Sequence, residues 1–207
     1  MKMTYIIISL IIISGFVLYL VSCKSKTSSN TLSGTDTLSV DTSNRNKVDP
    51  NNNPYEDLRN LAFGATQEQI GVNISADETK IYGVIMDWDV GEGIATVVAF
   101  QSGDASVYLS SGGGVIGGSG HENVKTAAKR FVNEAQKYLA KTKPTDTTPL
   151  PGKDMVNFYF LTNKGKFVGQ ETMSNFENSS SIWLELFNEA NNLMSEVRMT
   201  TDSKEFH

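Results

Sequence analysis

Apolar positions along this chain fall into three kinds of pattern, and each predicts a different physical state. The first is a nearly unbroken apolar run from Tyr5 to Val21, interrupted by Ser9, Ser14 and Gly15. The second, residues 24–54, is polar: its large apolar residues are Leu32, Leu38, Val40 and Val48, which share no sustained period. The third, residues 55–200, alternates segments of helical period with segments of strand character, separated by turn residues.

The third region carries the fold. Residues 55–63 place Leu58, Leu61 and Ala62 at helical spacing and stop at Gly64, a natural helix terminator. Thr66-Gln67-Glu68-Gln69 has the form of a capping box and predicts a short turn. Residues 81–88, 94–100 and 105–110 are rich in β-branched and aromatic side chains, with a turn at Ser102-Gly103-Asp104, and predict an antiparallel meander. Ser119 and Glu122 form a second capping box, before a stripe of Val124, Ala128, Phe131, Ala135 and Tyr138. Residues 143–152 read as a proline-containing loop, and residues 155–162 and 166–171 as a hairpin around Asn163-Lys164-Gly165. Ile182, Trp183, Leu186, Phe187, Ala190, Leu193, Met194 and Val197 predict a wide apolar face on a final helix.

The predicted order is αβββαββα, which gives an α+β domain: an antiparallel sheet of about five strands with three helices. About 150 residues suits one domain with one core, and no repeat of 20 to 50 residues interrupts it. In element order the layout resembles profilin-like and roadblock-like folds. The run 82–88, Tyr-Gly-Val-Ile-Met-Asp-Trp, followed by Gly112-Gly113-Gly114-Val115-Ile116-Gly117-Gly118, is similar to a recurrent uncharacterised bacterial domain to which no activity attaches.

The first two regions concern address rather than fold. Lys2, the apolar run and Ser22 match the charged start, apolar middle and small-residue end of a secretory signal. Leu20-Val21-Ser22-Cys23 resembles the lipobox of bacterial lipoproteins. The resemblance implies cleavage of residues 1–22, a diacylglyceryl thioether on Cys23 and acylation of its new amine, so that the lipid bilayer is the first partner. An uncleaved helix is one alternative, since about 17 apolar residues is the short end of a membrane span, and an ordinary signal peptide with an incidental cysteine is the other. Several acyl chains at about 0.8 kcal/mol per buried methylene hold firmly where one would not. Residues 23–54 then form a lipidated spacer too polar to offset its ordering entropy, with a reach of roughly 30 Å. Lys24 stands where an aspartate would signal inner-membrane retention, and no acidic run follows. The expected location is therefore the outer membrane facing the periplasm, in a cell with two membranes. Residues 201–207 read as a tail.

Charge and composition narrow the chemistry. A net charge of −5 argues against nucleic acid as a partner. With one cysteine, the chain forms no internal disulfide and its fold must rest on its core. Two histidines, His121 and His207, and the absence of zinc-like spacing predict neither a metal nor a cofactor. The most distinctive segment is glycine-rich, residues 110–121, leading into a helix N-terminus. Gly117, Gly118, Ser119, Gly120 and His121 are its candidate ligand-binding residues, because close-approaching backbone amides there favour an anion. The competing reading is a tight strand-to-helix connection, with Ser119 as the cap and His121 on the surface. Asp87, Asp89 and Glu92 read as solvated hairpin residues, with calcium as the alternative. Trp88 reads either as a recognition aromatic or as a sheet-edge packing group. The expected function is a non-enzymatic envelope lipoprotein binding a protein or small ligand. A hydrolase or phosphate-handling enzyme centred on residues 112–121 and an immunity-type or structural protein are the alternatives.

Overall fold

The computed structural model describes residues 54–202. The predicted signal peptide, Cys23, the spacer as far as residue 53, and residues 203–207 lie outside the described residues.

The elements run in chain order α1 (Tyr55–Gly64), β1 (Ile81–Asp89), β2 (Ile94–Phe100), β3 (Ala105–Leu109), β4 (Gly114–Val115), α2 (Glu122–Ala135), β5 (Lys143–Pro144), β6 (Met155–Thr162), β7 (Gly165–Thr172), α3 (Met173–Glu177) and α4 (Leu184–Asp202). All strands join one antiparallel sheet in the order β4-β3-β2-β1-β6-β7-β5. The meander and the hairpin therefore meet at its centre, where β1 pairs with β6. The α+β class holds, with seven strands and four helices among the described residues in place of the expected five and three. The additions are short. β4 and β5 each span two residues, and their pairing is set by tertiary register against β3 and β7, which leaves no periodic signature in sequence.

Helices cover both faces. Strand side chains alternate, so Val84, Met86 and Trp88 of β1 point one way and Ile85 and Asp87 the other. On the first face, α2 and α4 pack side by side across the sheet. The predicted stripe of α2 is buried as expected: Val124, Ala128, Phe131 and Ala135, continued by Tyr138 in a 3-10 turn, Gln136–Lys141. Leu186, Ala190, Leu193 and Val197 of α4 are buried beside them. Trp183, just before α4, stacks on Phe158 of β6 with centroids 5.6 Å apart, and on Tyr138 at 5.2 Å. Ile182 is a correction. It is 58% exposed, because α4 begins at Leu184 and the turn before it aims Trp183, not Ile182, at the sheet.

On the second face lies α1 alone. Tyr55, Arg59 and Ala62 are its buried residues, while Leu61, expected on the apolar face, is 71% exposed. The face that docks was chosen by bonds to the sheet rather than by apolar content. Tyr55, Ala62, Ile85, Val98, Tyr108, Tyr159 and Leu161 form the core beneath it. The capping box after α1 forms as predicted: Gln69 N–H donates to Thr66 Oγ1 at 3.3 Å, and Thr66 N–H donates to Gln69 Oε1 at 2.9 Å. Among the described residues no helix is long and apolar enough to cross a membrane.

Candidate functional site

The glycine-rich connection lies along the outer edge of β3. Leu109 N–H donates to Gly113 O at 3.1 Å, Val107 and Tyr108 pair with Val115 and Gly114, and Gly117 N–H donates to Ser106 Oγ at 3.4 Å. The close approach requires small residues. A Cβ on Gly114 would sit 2.3 Å from Val107 O, and one on Gly118 would sit 2.7 Å from Val124 Cγ1. Gly117 adopts the left-handed region at φ 72° and opens a 3-10 turn of Gly118, Ser119 and Gly120. His121 N–H closes that turn onto Gly118 O at 3.1 Å, and half-buried His121 stands at the N-cap of α2 without a side-chain capping bond. The Ser119–Glu122 capping box is thus a correction: α2 starts at Glu122, and Ser119 lies inside the preceding turn. Gly114, Gly117 and Gly118 all have conformational or packing reasons of their own.

The acidic cluster is also dispersed. Asp89 caps its own turn through Gly91 N–H at 3.2 Å and accepts from Asp154 N–H at 2.6 Å, while Glu92 is exposed. Asp87 is fully buried, which corrects its reading as a solvated hairpin residue. Among the described residues no group of His, Cys, Asp and Glu is placed to hold a metal ion. Trp88 is buried and meets Phe187 edge-on at 5.2 Å, so it is a packing group.

The richest chemistry lies instead on the second face of the sheet. Strand register aligns Tyr108 of β3, Thr96 of β2, Asp87 of β1, Asn157 of β6 and Gln170 of β7 in one polar row across five strands. Arg59 of α1 reaches down to this row, donating from Nε at 3.1 Å and Nη2 at 2.5 Å to Asp87 Oδ2. Thr96 Oγ1 donates to Asp87 Oδ1 at 2.6 Å and lies 2.8 Å from the Tyr55 hydroxyl. The row continues through Gln170 Nε2, which donates to Asn157 Oδ1 at 2.9 Å.

Two backbone carbonyls complete it. The segment between β5 and β6 runs over the far half of this face as a strap. Arg59 Nη2 donates to Thr148 O at 2.8 Å, and Pro149 O accepts from the Tyr159 hydroxyl at 2.5 Å and from Asn157 Nδ2 at 3.3 Å. The Arg59 guanidinium also stands over the rings of Phe63 and Tyr159, at 4.7 and 5.9 Å, and those two rings meet edge-on.

Burial sets the electrostatics. It pushes the Asp87 carboxyl above the ordinary carboxylate range, against the opposing pull of the Arg59 and Thr96 bonds and the Arg59 charge. Burial also disfavours the Arg59 charge, yet its bond to Asp87 prevails and holds it above its ordinary value. Burial pushes the Tyr55 hydroxyl up to about 12, opposed by its Thr96 bond. Desolvation likewise raises Tyr82, Tyr108, Tyr138 and Tyr159. The native state therefore holds tyrosine protons that the unfolded chain releases near pH 10. Their contribution to stability is complete below that pH and falls as pH rises, through about 12 for Tyr55. Urea midpoints should fall steadily above pH 10, and Tyr55→Phe should flatten that decline; a midpoint unchanged between pH 9 and 11.5 would refute the assignment.

The row's signal in sequence was a charge inside an apolar strand, Val84-Ile85-Met86-Asp87-Trp88, and an arginine four residues from Tyr55 in α1. A carboxylate at such a position requires a cationic partner. Comparison with models of protein families, with curated proteins and with solved structures found no match for this chain.

Proposed function

We propose that this chain is a lipid-anchored envelope protein whose α+β domain is a non-enzymatic interaction module. Cys23 carries the acyl chains, and residues 24–54 space the domain from the headgroups. The cell with two membranes would display it on the outer membrane, facing the periplasm. The element order, resembling profilin-like and roadblock-like scaffolds, suits a domain that presents surfaces rather than a reactive cleft.

The observation that carries this reading is the closure of the polar row. Arg59, Asp87, Thr96, Tyr55, Asn157, Tyr159 and Gln170 bond one another or the strap, so their chemistry is spent on holding elements together. The close packing of Gly114 and Gly118 favours this reading over a hydrolytic or phosphate-handling centre at residues 112–121.

Cys23→Ala should abolish lipid labelling and detergent-phase partitioning of the full chain; unchanged labelling would rule out the anchor. For the interaction module, photo-crosslinkers at exposed Leu61 and Ile182 in living cells should give a discrete, reproducible adduct. Failure at both positions, together with turnover of an ester or phosphate reporter that His121→Ala abolishes, would replace this reading with the enzymatic one.

A further inference from the structure

The strap and the surface beneath it are complementary in an unusual way. Pro149 and Pro151 lack N–H groups, so this stretch of backbone is rich in acceptors. The sheet and α1 meet it there with donors: the Arg59 guanidinium, the Asn157 amide and the Tyr159 hydroxyl converge on two consecutive carbonyls, Thr148 O and Pro149 O. Thr145 N–H still donates to Lys166 O of β7 at 2.9 Å, but at Thr148 and Pro149 the contacts are made by side chains to the strap's backbone. Phe63 and Tyr159 supply an aromatic shelf, with Arg59 laid over both rings. Leu150, between the two prolines, is 44% exposed. Aromatic walls with donors aimed at the carbonyls of a proline-containing extended peptide are a recurring mode of peptide recognition.

We propose that the Arg59–Phe63–Asn157–Tyr159 shelf is a receptor for extended, proline-containing peptide, held closed by the chain's own Thr148-Pro149-Leu150-Pro151, and that a partner segment of the same chemistry binds by displacing this strap. The inference rests on the interaction-module reading and gives it a surface and a class of partner. Recognition goes through backbone carbonyls, so the shelf selects proline spacing and extension more than side-chain identity. The strap competes as a tethered ligand at an effective concentration on the order of millimolar, which sets the threshold a partner must exceed.

The probe is a fluorescent peptide with the sequence of residues 145–152, titrated against the full-length protein in detergent. The triple variant Thr148→Gly, Pro149→Gly, Leu150→Gly should bind it at least tenfold more tightly than the parent chain does. Adding Tyr159→Phe, which keeps the ring and removes one donor, should weaken that binding several-fold. A variant that melts cooperatively yet binds this peptide no better than a glycine-serine peptide of equal length overturns the proposal. Should the triple variant fail to fold, the parent chain decides: millimolar peptide should shift the Asn157 side-chain amide resonances, and unshifted resonances overturn the proposal. An in-cell adduct that persists unchanged in the Tyr159→Phe chain, with no peptide binding, would remove the shelf while leaving the interaction-module reading standing.

Discussion

Asp87→Ala should destabilise the domain by about 3–5 kcal/mol, as read by urea denaturation. The carboxylate is fully buried and takes both Arg59 donors and the Thr96 hydroxyl. Its removal leaves Arg59, itself 7% exposed, as an uncompensated charge against the sheet. Domains of this size have total stabilities of about 5–15 kcal/mol, so the loss is a large fraction of the whole. The contrasting variant is the double replacement Arg59→Met with Asp87→Leu. It removes both charges at similar volume and should recover most of the loss, because desolvating an ion pair offsets much of its attraction. A double variant as damaged as Asp87→Ala would show that the pair itself, and not the orphaned charge, carries the stability.

Trp183→Ala should cost a comparable amount, about 3–5 kcal/mol. Its indole meets three rings of the first face: Tyr138 after α2, and Phe158 and Phe160 of β6. The backbone of β7 is cut away to receive it, since a Cβ on Gly169 would lie 2.3 Å from the ring. Gly169→Ala should therefore also destabilise, by about 1–3 kcal/mol, because the indole has rings on its other sides and cannot withdraw. Calorimetry of the two variants tests this; a melting temperature unchanged in Trp183→Ala would place the keystone of that face elsewhere.

Much of the architecture was legible because strand and helix periods are local. The second strand, Ile94–Phe100, and the first hairpin strand, Met155–Thr162, have the predicted bounds, and the stripe of α2 is buried as its spacing implied. What escaped depends on register. Thr96, Asp87, Asn157 and Gln170 are spread from position 87 to position 170 and become neighbours only when four strands align. The orientation of α1 escaped for the same reason. Leu58, Leu61 and Ala62 suggested one face, yet Arg59 had a buried carboxylate to reach, and satisfying it outweighed the burial of Leu61. The glycine-rich segment was visible at once, but its packing against Val107 and Val124 required the edge of β3 to be in place.

That edge has a further consequence. A sheet that ends in a long free strand is a template on which another chain can add, and molecules crowded onto one surface meet such templates often. Here one border ends in two residues followed by a turn, and the other in a two-residue strand containing Pro144, which has no N–H to offer. β4 covers Val107 and Tyr108 of β3 and β5 covers Phe167 and Val168 of β7, which shortens both edges and disfavours growth of the sheet from copy to copy. A high local concentration of this domain therefore carries less risk of sheet-to-sheet addition than bare edges of β3 and β7 would bring.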